Sequence, residues 1–306
     1  MKISLYPPLS IYEIGQRDNQ EDAIWPLQPT SNDKLFILCD GMGGHEHGEV
    51  ASQTVSQAIG EWFETKAIEP LTKSQIEDAL AYAYAKLDEK DEGEFRKMGT
   101  TLTLLYIGGT GILAAHMGDS RIYHIRPGNG VLYQSRDHSL VFDLFQSGEI
   151  TYNEMNSFSQ KNIVTRAMTP GEDNRMHSDI IQITDVQAGD FFYLCSDGML
   201  EQMSNTELVA LFSSEKKDEE KRQQLILDTA NSQDNHSAWL IHINDVISEE
   251  GDKELVNEEP TARCNAINIL PQSVPDDDVV IVKEAPKKQS FLTWLKRLIR
   301  LTKGKK

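Results

Sequence analysis

TLTLLYIGGTGILAAHMGDSRIYHIRPGNGVLYQS (101–135) decides the fold class. Four short runs rich in Ile, Leu and Tyr, at 101–107, 111–117, 121–126 and 130–135, follow one another with only turn residues between them. Gly108-Gly109-Thr110 joins the first pair as a Gly-rich hairpin, and Arg126-Pro127-Gly128-Asn129 joins the last. Strands spaced this closely leave no room for crossover helices, which argues against a parallel βαβ plan. Outward from this stretch, further strand candidates lie at 34–39, 180–184, 190–195 and 238–243. Between 46 and 91 the apolar spacing becomes helical: Val50, Val55, Ile59, Trp62 and Phe63 form one stripe, and Ile76, Leu80, Ala83 and Leu87 another. Helices also fit 204–212 and 216–231. Antiparallel hairpins interrupted by helix pairs predict an α+β fold, with sheets covered by helices on their outer faces.

Composition restricts the function. The formal net charge is −18, and residues 1–247 hold 38 acidic against 19 basic side chains. An acidic main domain of this kind argues against nucleic acid as substrate, because phosphate backbones are bound by clustered positive charge. No run of 18 apolar residues exists, so no transmembrane helix is expected. The N-terminal MKISLYPPLS lacks the apolar core of an export signal. Cys39, Cys195 and Cys264 are too few for a disulfide framework; the first two sit in apolar runs and read as buried thiols of a reducing cytoplasm.

Four aspartates stand in short polar clusters beside strand-like sequence: Asp22 in RDNQED (17–22), Asp40 in FILCDGMGG (36–44), Asp197 in FFYLCSDGM (191–199) and Asp234 in SQDNHS (232–237). A carboxylate at the end of a buried strand is costly unless something positive neutralises it. Four such positions in one domain point to a shared site for a hard divalent cation, Mg²⁺ or Mn²⁺, since zinc would call for Cys and His. Two such ions can acidify a water and clamp the oxygens of a phosphoryl group. Asp40 suits a bridging position, because Gly41, Gly43 and Gly44 let backbone approach an ion, and the Gly41 carbonyl can itself be a ligand. Arg17, just before Glu21 and Asp22, can hold two phosphate oxygens as a planar fork.

The motifs in chain order are G-x-R-x-x-x-E-D (15–22), DGMGGHEHGEVAS (40–52), GTTLT (99–103), HMGDSRIY (116–123), RDHS (136–139), NIVTRAM (162–168), FFYLCSDGM (191–199) and QDNHS (233–237). As a set over about residues 10–245 they resemble the metal-dependent Ser/Thr protein phosphatases, the PPM or type 2C family, in their compact bacterial form. The resemblance implies a four-layer α/β/β/α sandwich of two mostly antiparallel sheets, with a two-metal centre (Mn²⁺ or Mg²⁺) at one end. It implies that water or hydroxide bridging the two metals attacks phosphoserine or phosphothreonine, reversing the action of a cognate Ser/Thr kinase. Asp40 resembles the bridging ligand and Gly41 a carbonyl ligand of one metal; Asp197 and Asp234 resemble ligands of the other. Asp22 and Glu21 match the acidic pair around metal-bound water, Asp22 as a ligand and Glu21 one shell out. Asp119 matches a carboxylate that, with Asp197, can hold a weaker third metal. Arg17 matches the phosphate-binding arginine, so that Arg17, Asp40 and Asp197 are the expected catalytic residues. Residues 140–170 resemble a mobile flap that influences substrate choice.

One position departs from the animal members of that family. Where they carry a histidine directly after Asp-Gly, this chain has Met42, which cannot donate a proton. Water then protonates the leaving oxygen, with His45 and His47 as rivals; His138 reads as a brace of its loop. Two alternatives to a protein phosphatase are an inactive pseudophosphatase acting as a binding module and a two-metal hydrolase of small phosphoesters. Retention of every expected carboxylate speaks against the first, and the lack of a dedicated ligand pocket in the sequence against the second. A monomer is expected.

Domain organisation follows from a change of texture after the catalytic span, 1–247. Residues 248–286 form an acidic, Pro-punctuated linker. The last twenty residues, 287–306, hold eight Lys or Arg and no acid. Within FLTWLKRLIRLTK (291–303), helical steps put Phe291, Leu292, Trp294, Leu295, Leu298, Ile299 and Leu301 on one half of the circumference and Lys296, Arg297, Arg300 and Lys303 on the other. Such a basic amphipathic helix is too short to span a bilayer and suits an anionic membrane surface, here the inner membrane face. Autoinhibitory docking on the acidic domain and completion of the fold are the competing readings. Truncation at Ile247 should preserve peptide phosphatase activity and abolish co-sedimentation with anionic liposomes. Absence of liposome binding by the full chain at low salt would defeat the membrane reading, and a severalfold rise in kcat/KM on truncation would favour autoinhibition.

Overall fold

The computed structural model describes residues 1–43, 47–66, 71–91, 93, 98–151, 154–155, 158, 160, 163–171 and 175–247. The linker and the basic tail lie outside these residues, as does His45.

The described strands are β1 (Lys2–Leu5), β2 (Leu9–Glu13), β3 (Asp22–Trp25), β4 (Leu35–Met42), β5 (Gly99–Thr100), β6 (Leu102–Gly108), β7 (Gly111–Met117), β8 (Arg121–Arg126), β9 (Gly130–Gln134), β10 (Asp179–Ile183), β11 (Phe191–Cys195) and β12 (His236–Ile247). The described helices are α1 (His47–Glu64), α2 (Lys73–Asp88), α3 (Leu140–Gln146), α4 (Asn205–Phe212) and α5 (Asp218–Thr229). They form two six-stranded sheets. One runs β1-β12-β11-β8-β9 with β2 also on β12; the other runs β10-β7-β6-β4-β3 with β5 on β4. The strand pairings are antiparallel throughout, as 101–135 predicts.

The central strands are apolar on both faces because both faces are covered. Along β4, Phe36 and Leu38 point between the sheets with Leu105, Ile122, Phe192 and Trp239, whereas Ile37 and Cys39 point outward against Val55, Ile59 and Leu80 of α1 and α2. On the other sheet, Tyr123, Tyr193 and Leu240 pack under Leu208, Phe212 and Leu225 of α4 and α5. The layers are therefore α/β/β/α. Such strands read as continuous apolar runs rather than as alternation.

Several details differ from the sequence reading. Strands β1, β2 and β3 are short, polar at several positions and hard to distinguish from loop by pattern. The α1 stripe is Ala51, Val55, Ala58 and Ile59, while Val50 faces solvent. A five-residue step from Val50 to Val55 is more than one helical turn, so the two cannot share a narrow face. The α2 stripe is as expected: Ile76, Leu80, Ala83 and Leu87 are all buried.

Trp239 joins the two sheets. It is fully buried, its ring meets Phe36 edge-on at 5.3 Å, and its Nε1 donates to Ile37 O of the opposite sheet at 2.9 Å. Trp239→Ala should lower the urea-unfolding free energy of the full chain by about 3–5 kcal/mol. Trp239→Phe, which loses the hydrogen bond and also part of the indole's volume, should cost about 2–3 kcal/mol. A loss below about 1 kcal/mol for the alanine variant would contradict this inter-sheet role.

Candidate metal and phosphate site

The strand ends at one edge of the sandwich bring the acidic motifs together. Asp22 opens β3 and pairs in register with Asp40 near the end of β4. The Asp40 backbone is held on both sides: its N–H donates to Thr101 Oγ1 (2.9 Å), and its carbonyl accepts from Thr101 N (2.8 Å) and Thr100 Oγ1 (3.0 Å). Thr101 Oγ1 also bonds Ser120 Oγ (2.8 Å), next to Asp119 in the turn between β7 and β8. Asp197 follows β11 at the start of a short 3₁₀ turn (Asp197–Leu200), and Asp234 lies two residues before β12. The Gly41 N–H donates to Glu21 O (3.0 Å), and a Cβ on Gly41 would lie 2.1 Å from Gly48 O, so only glycine lets α1 approach here.

The expected residues therefore meet. Asp40 lies within the fields of Asp22, Asp197, Asp119 and Asp234. Glu21 lies within the fields of Arg17 and Asp234. Arg17 Nη2 donates to Asp234 Oδ2 at 2.6 Å, with the arginine side chain 55% exposed and so facing solvent.

Crowding raises proton affinity. Burial pushes Asp22 up to about 7, against the Ser196 hydroxyl that donates to it at 2.9 Å. Burial and then the Asp197 charge lift Asp119 to about 7, and burial and then Asp234 lift Asp197 to about 6. Burial and the neighbouring carboxylates hold Asp40 well above the ordinary carboxylate range. Asp22 is fully buried, and its Oδ1 has no hydrogen-bond partner among the described residues. Buried carboxylates that repel one another, one with an orphaned oxygen, form a donor set that fits hard divalent cations.

A second group has ligand-like spacing. His116, His138 and Asp179 offer atoms within 4.8 Å of one another. Most of their ring nitrogens already have protein partners. His116 Nε2 bonds Arg136 O (2.7 Å), His138 Nδ1 accepts from Gly118 N (3.1 Å), and His138 Nε2 bonds Asp179 Oδ2 (3.2 Å). The cation beside them is Arg166, whose Nη1 lies 3.1 Å from Asp179 Oδ1. Burial lowers His138 to about 4, which keeps it neutral with its proton on Nε2, since Nδ1 accepts. The trio thus braces the two ends of the stretch expected to form the flap: His138 lies just before it, Arg166 near its end, and Gly118 adjoins Asp119. The flap's return is also tied to Asp40, through paired backbone bonds between Thr100 and Met168 (3.0 and 2.9 Å).

Several contributors carry no sequence signal as acids or bases. Thr100 and Thr101 lie in GTTLT, where hydroxyls read as strand residues. Glu201 accepts from Ser232 Oγ (2.9 Å) and Gln233 N (2.8 Å), tying the 3₁₀ turn to the Asp234 loop. Its only sequence cue is position, four residues after Asp197.

Carboxylates converging at one end of the sandwich, beside an exposed arginine, suit metal-assisted hydrolysis of phosphate esters. Residues 13–240 match the family described as Protein phosphatase 2C. The serine/threonine phosphatase stp of Listeria monocytogenes is 31% identical over 236 residues, covering 74% of this chain and 90% of its own. Among solved structures, the serine/threonine phosphatase PstP/Ppp of Mycobacterium tuberculosis superposes with a TM-score of 0.68 at 27% identity, covering 79% of this chain and 100% of that one. The PstP catalytic domain in complex with two manganese ions gives a TM-score of 0.66 at 26% identity, covering 80% and 100%. The chain belongs to the protein phosphatase 2C family.

The raised carboxyl pKa values set a direction for metal-free stability. Asp119 has a folded pKa near 7, against about 4 for an unfolded aspartate. Between these values the folded state holds a proton that the unfolded chain has lost, so the Asp119 contribution to stability falls as pH rises through that window. In EDTA, Asp119→Asn should therefore gain on the natural chain between pH 5 and pH 7.5, reaching a Tm advantage of at least about 2–4 °C. An advantage that shrinks over the same interval would contradict the electrostatic account.

Proposed function

We propose that the chain is a Mn²⁺- or Mg²⁺-dependent protein serine/threonine phosphatase that uses this carboxylate cluster. The observation that carries the reading is the convergence of Asp22, Asp40, Asp119, Asp197 and Asp234 beside a solvent-facing arginine. Asp40 and the Gly41 carbonyl would hold one ion, with Asp22 as a further ligand on that side. Asp40, Asp197 and Asp234 would hold the second, and Asp119 with Asp197 a weaker third. The two manganese ions of the PstP catalytic domain support the first two of these, not the third. Divalent ions bound there supply an acidified water as nucleophile and neutralise charge on the phosphoryl group.

The chain's own residues do the rest. Arg17 binds phosphoryl oxygens through its planar fork while remaining in reach of Asp234. Glu21, whose carboxyl burial raises above its ordinary value, orders water beside them. Met42 has no proton to donate, so the leaving oxygen takes its proton from water. The flap brace, through His138 and Arg166, sets the rim that a phosphorylated Ser/Thr protein would meet.

The same reading extends to context. A cognate Ser/Thr kinase would supply the phosphoproteins, and the enzyme would act as a cytoplasmic monomer; the buried free thiols Cys39 and Cys195 suit a reducing compartment. The basic, amphipathic pattern of 287–306 suits peripheral contact with the inner membrane face.

Activity on a phosphothreonine peptide should vanish in EDTA and return with Mn²⁺ or Mg²⁺. Asp40→Asn, Asp197→Asn and Asp234→Asn should each lower kcat by at least ~10²-fold. Arg17→Ala should chiefly raise KM, by roughly 10–100-fold in kcat/KM. Full turnover in EDTA, or faster turnover of small phosphoesters than of the peptide, would overturn the reading.

A further inference from the structure

Arg17 stands on a segment with little support of its own. Residues 14–21 connect β2 to β3 without helix or strand, yet they carry Arg17 and Glu21 and lead directly into Asp22. What fastens them is Asn235, the neighbour of Asp234. Its Oδ1 accepts from Glu21 N (2.8 Å), and its Nδ2 donates to Ile14 O (2.8 Å) and Asn19 O (2.9 Å). Asn235 is buried, at 4% exposure. Gly15 presses on the same place: its φ is +64°, and a Cβ there would lie 2.1 Å from Asp234 O.

The match between side chain and segment is specific. The segment presents one N–H and two carbonyls, and a primary amide supplies one acceptor and two donors. Aspartate keeps the acceptor but turns a second oxygen toward the carbonyls. Alanine leaves all three backbone groups without the bonds they make here.

We propose that Asn235 is a positioning residue: it fixes the 14–21 segment against the Asp234 loop, and so sets where the Arg17 guanidinium meets a phosphoryl group. This rests on the phosphate-binding reading of Arg17. Asn235 itself touches neither substrate nor ion; it acts through Arg17. Its effect therefore depends on Arg17 being present, which a purely structural role would not require.

The test is a double-mutant cycle in the full chain with Mn²⁺, using a phosphothreonine peptide as substrate and inorganic phosphate as competitive inhibitor. Asn235→Ala should raise KM and the phosphate Ki by roughly 10-fold, the scale of a charge-assisted hydrogen bond. In the Arg17→Ala background the same change should cost less than about 2-fold, the non-additivity expected of groups acting as one unit. Amide exchange in the metal-free protein gives a readout independent of turnover: residues 14–21 should exchange at least ~10-fold faster in Asn235→Ala, with β11 unchanged. Should the alanine variant fail to fold, Asn235→Asp replaces it, with the same rise in KM expected from loss of the two donor bonds. If Arg17→Ala raises KM but the effects are additive, or the aspartate variant keeps the natural KM, the positioning role is refuted while the function stands. If Arg17→Ala leaves KM and phosphate Ki unchanged, the phosphate-binding reading falls and this inference with it.

Discussion

Mutual repulsion among buried carboxylates is the constraint around which this end of the molecule is built. Asp22, Asp40, Asp119 and Asp197 are all driven above the ordinary carboxylate range, and burial is the first cause in each case. Nothing in the apolar core favours that crowding. It persists because the strand ends that carry the acids belong to two sheets already fixed to one another by the core between them. Phe36, Leu105, Phe192 and Trp239 settle the sheet positions, and the acids go where the strands end. The site is therefore held at the expense of local electrostatics, as expected where function rather than stability selects the residues.

A frame of hydrogen-bonding groups keeps the acids in place. Thr100 and Thr101 grip the Asp40 backbone, Ser196 bonds Asp22, and Glu201 ties the Asp234 loop to the turn after Asp197. The ends of the 140–170 stretch are anchored to this frame, through Thr100–Met168 and through the His138–Asp179–Arg166 brace. The ends of this stretch thus share supports with the acids: Gly118 adjoins Asp119, and Thr100 holds the Asp40 carbonyl.

Much of this was legible in the sequence. The closely spaced runs of 101–135 gave antiparallel hairpins, and the helical stripe of α2 was correct at all four positions. Asp22, Asp40, Asp197 and Asp234 stood out because each is a charge beside an apolar run, a local conflict that invites a functional reason. Asp119 was identified only through family resemblance, since Gly-Asp-Ser between strands reads as an ordinary turn. Asn235 was invisible as a contributor because its partners lie more than 200 positions away, at Ile14, Asn19 and Glu21. The His116–His138–Asp179 trio gathers three separate segments and was equally out of reach. Val50 misled because helical periodicity tolerates a shift of one position when several apolar residues crowd one turn.

Burial and crowding raise the proton affinity of these carboxyls in the metal-free protein, and the same crowding would make a divalent cation displace the protons they hold. Calorimetric titration of Mn²⁺ into the metal-free chain at pH 6, repeated in buffers of different ionisation enthalpy, tests it most directly. The account predicts an observed enthalpy that varies with the buffer, corresponding to release of about one or more protons per protein as the ions displace them. Binding with a buffer-independent enthalpy, or no Mn²⁺ binding, would contradict it.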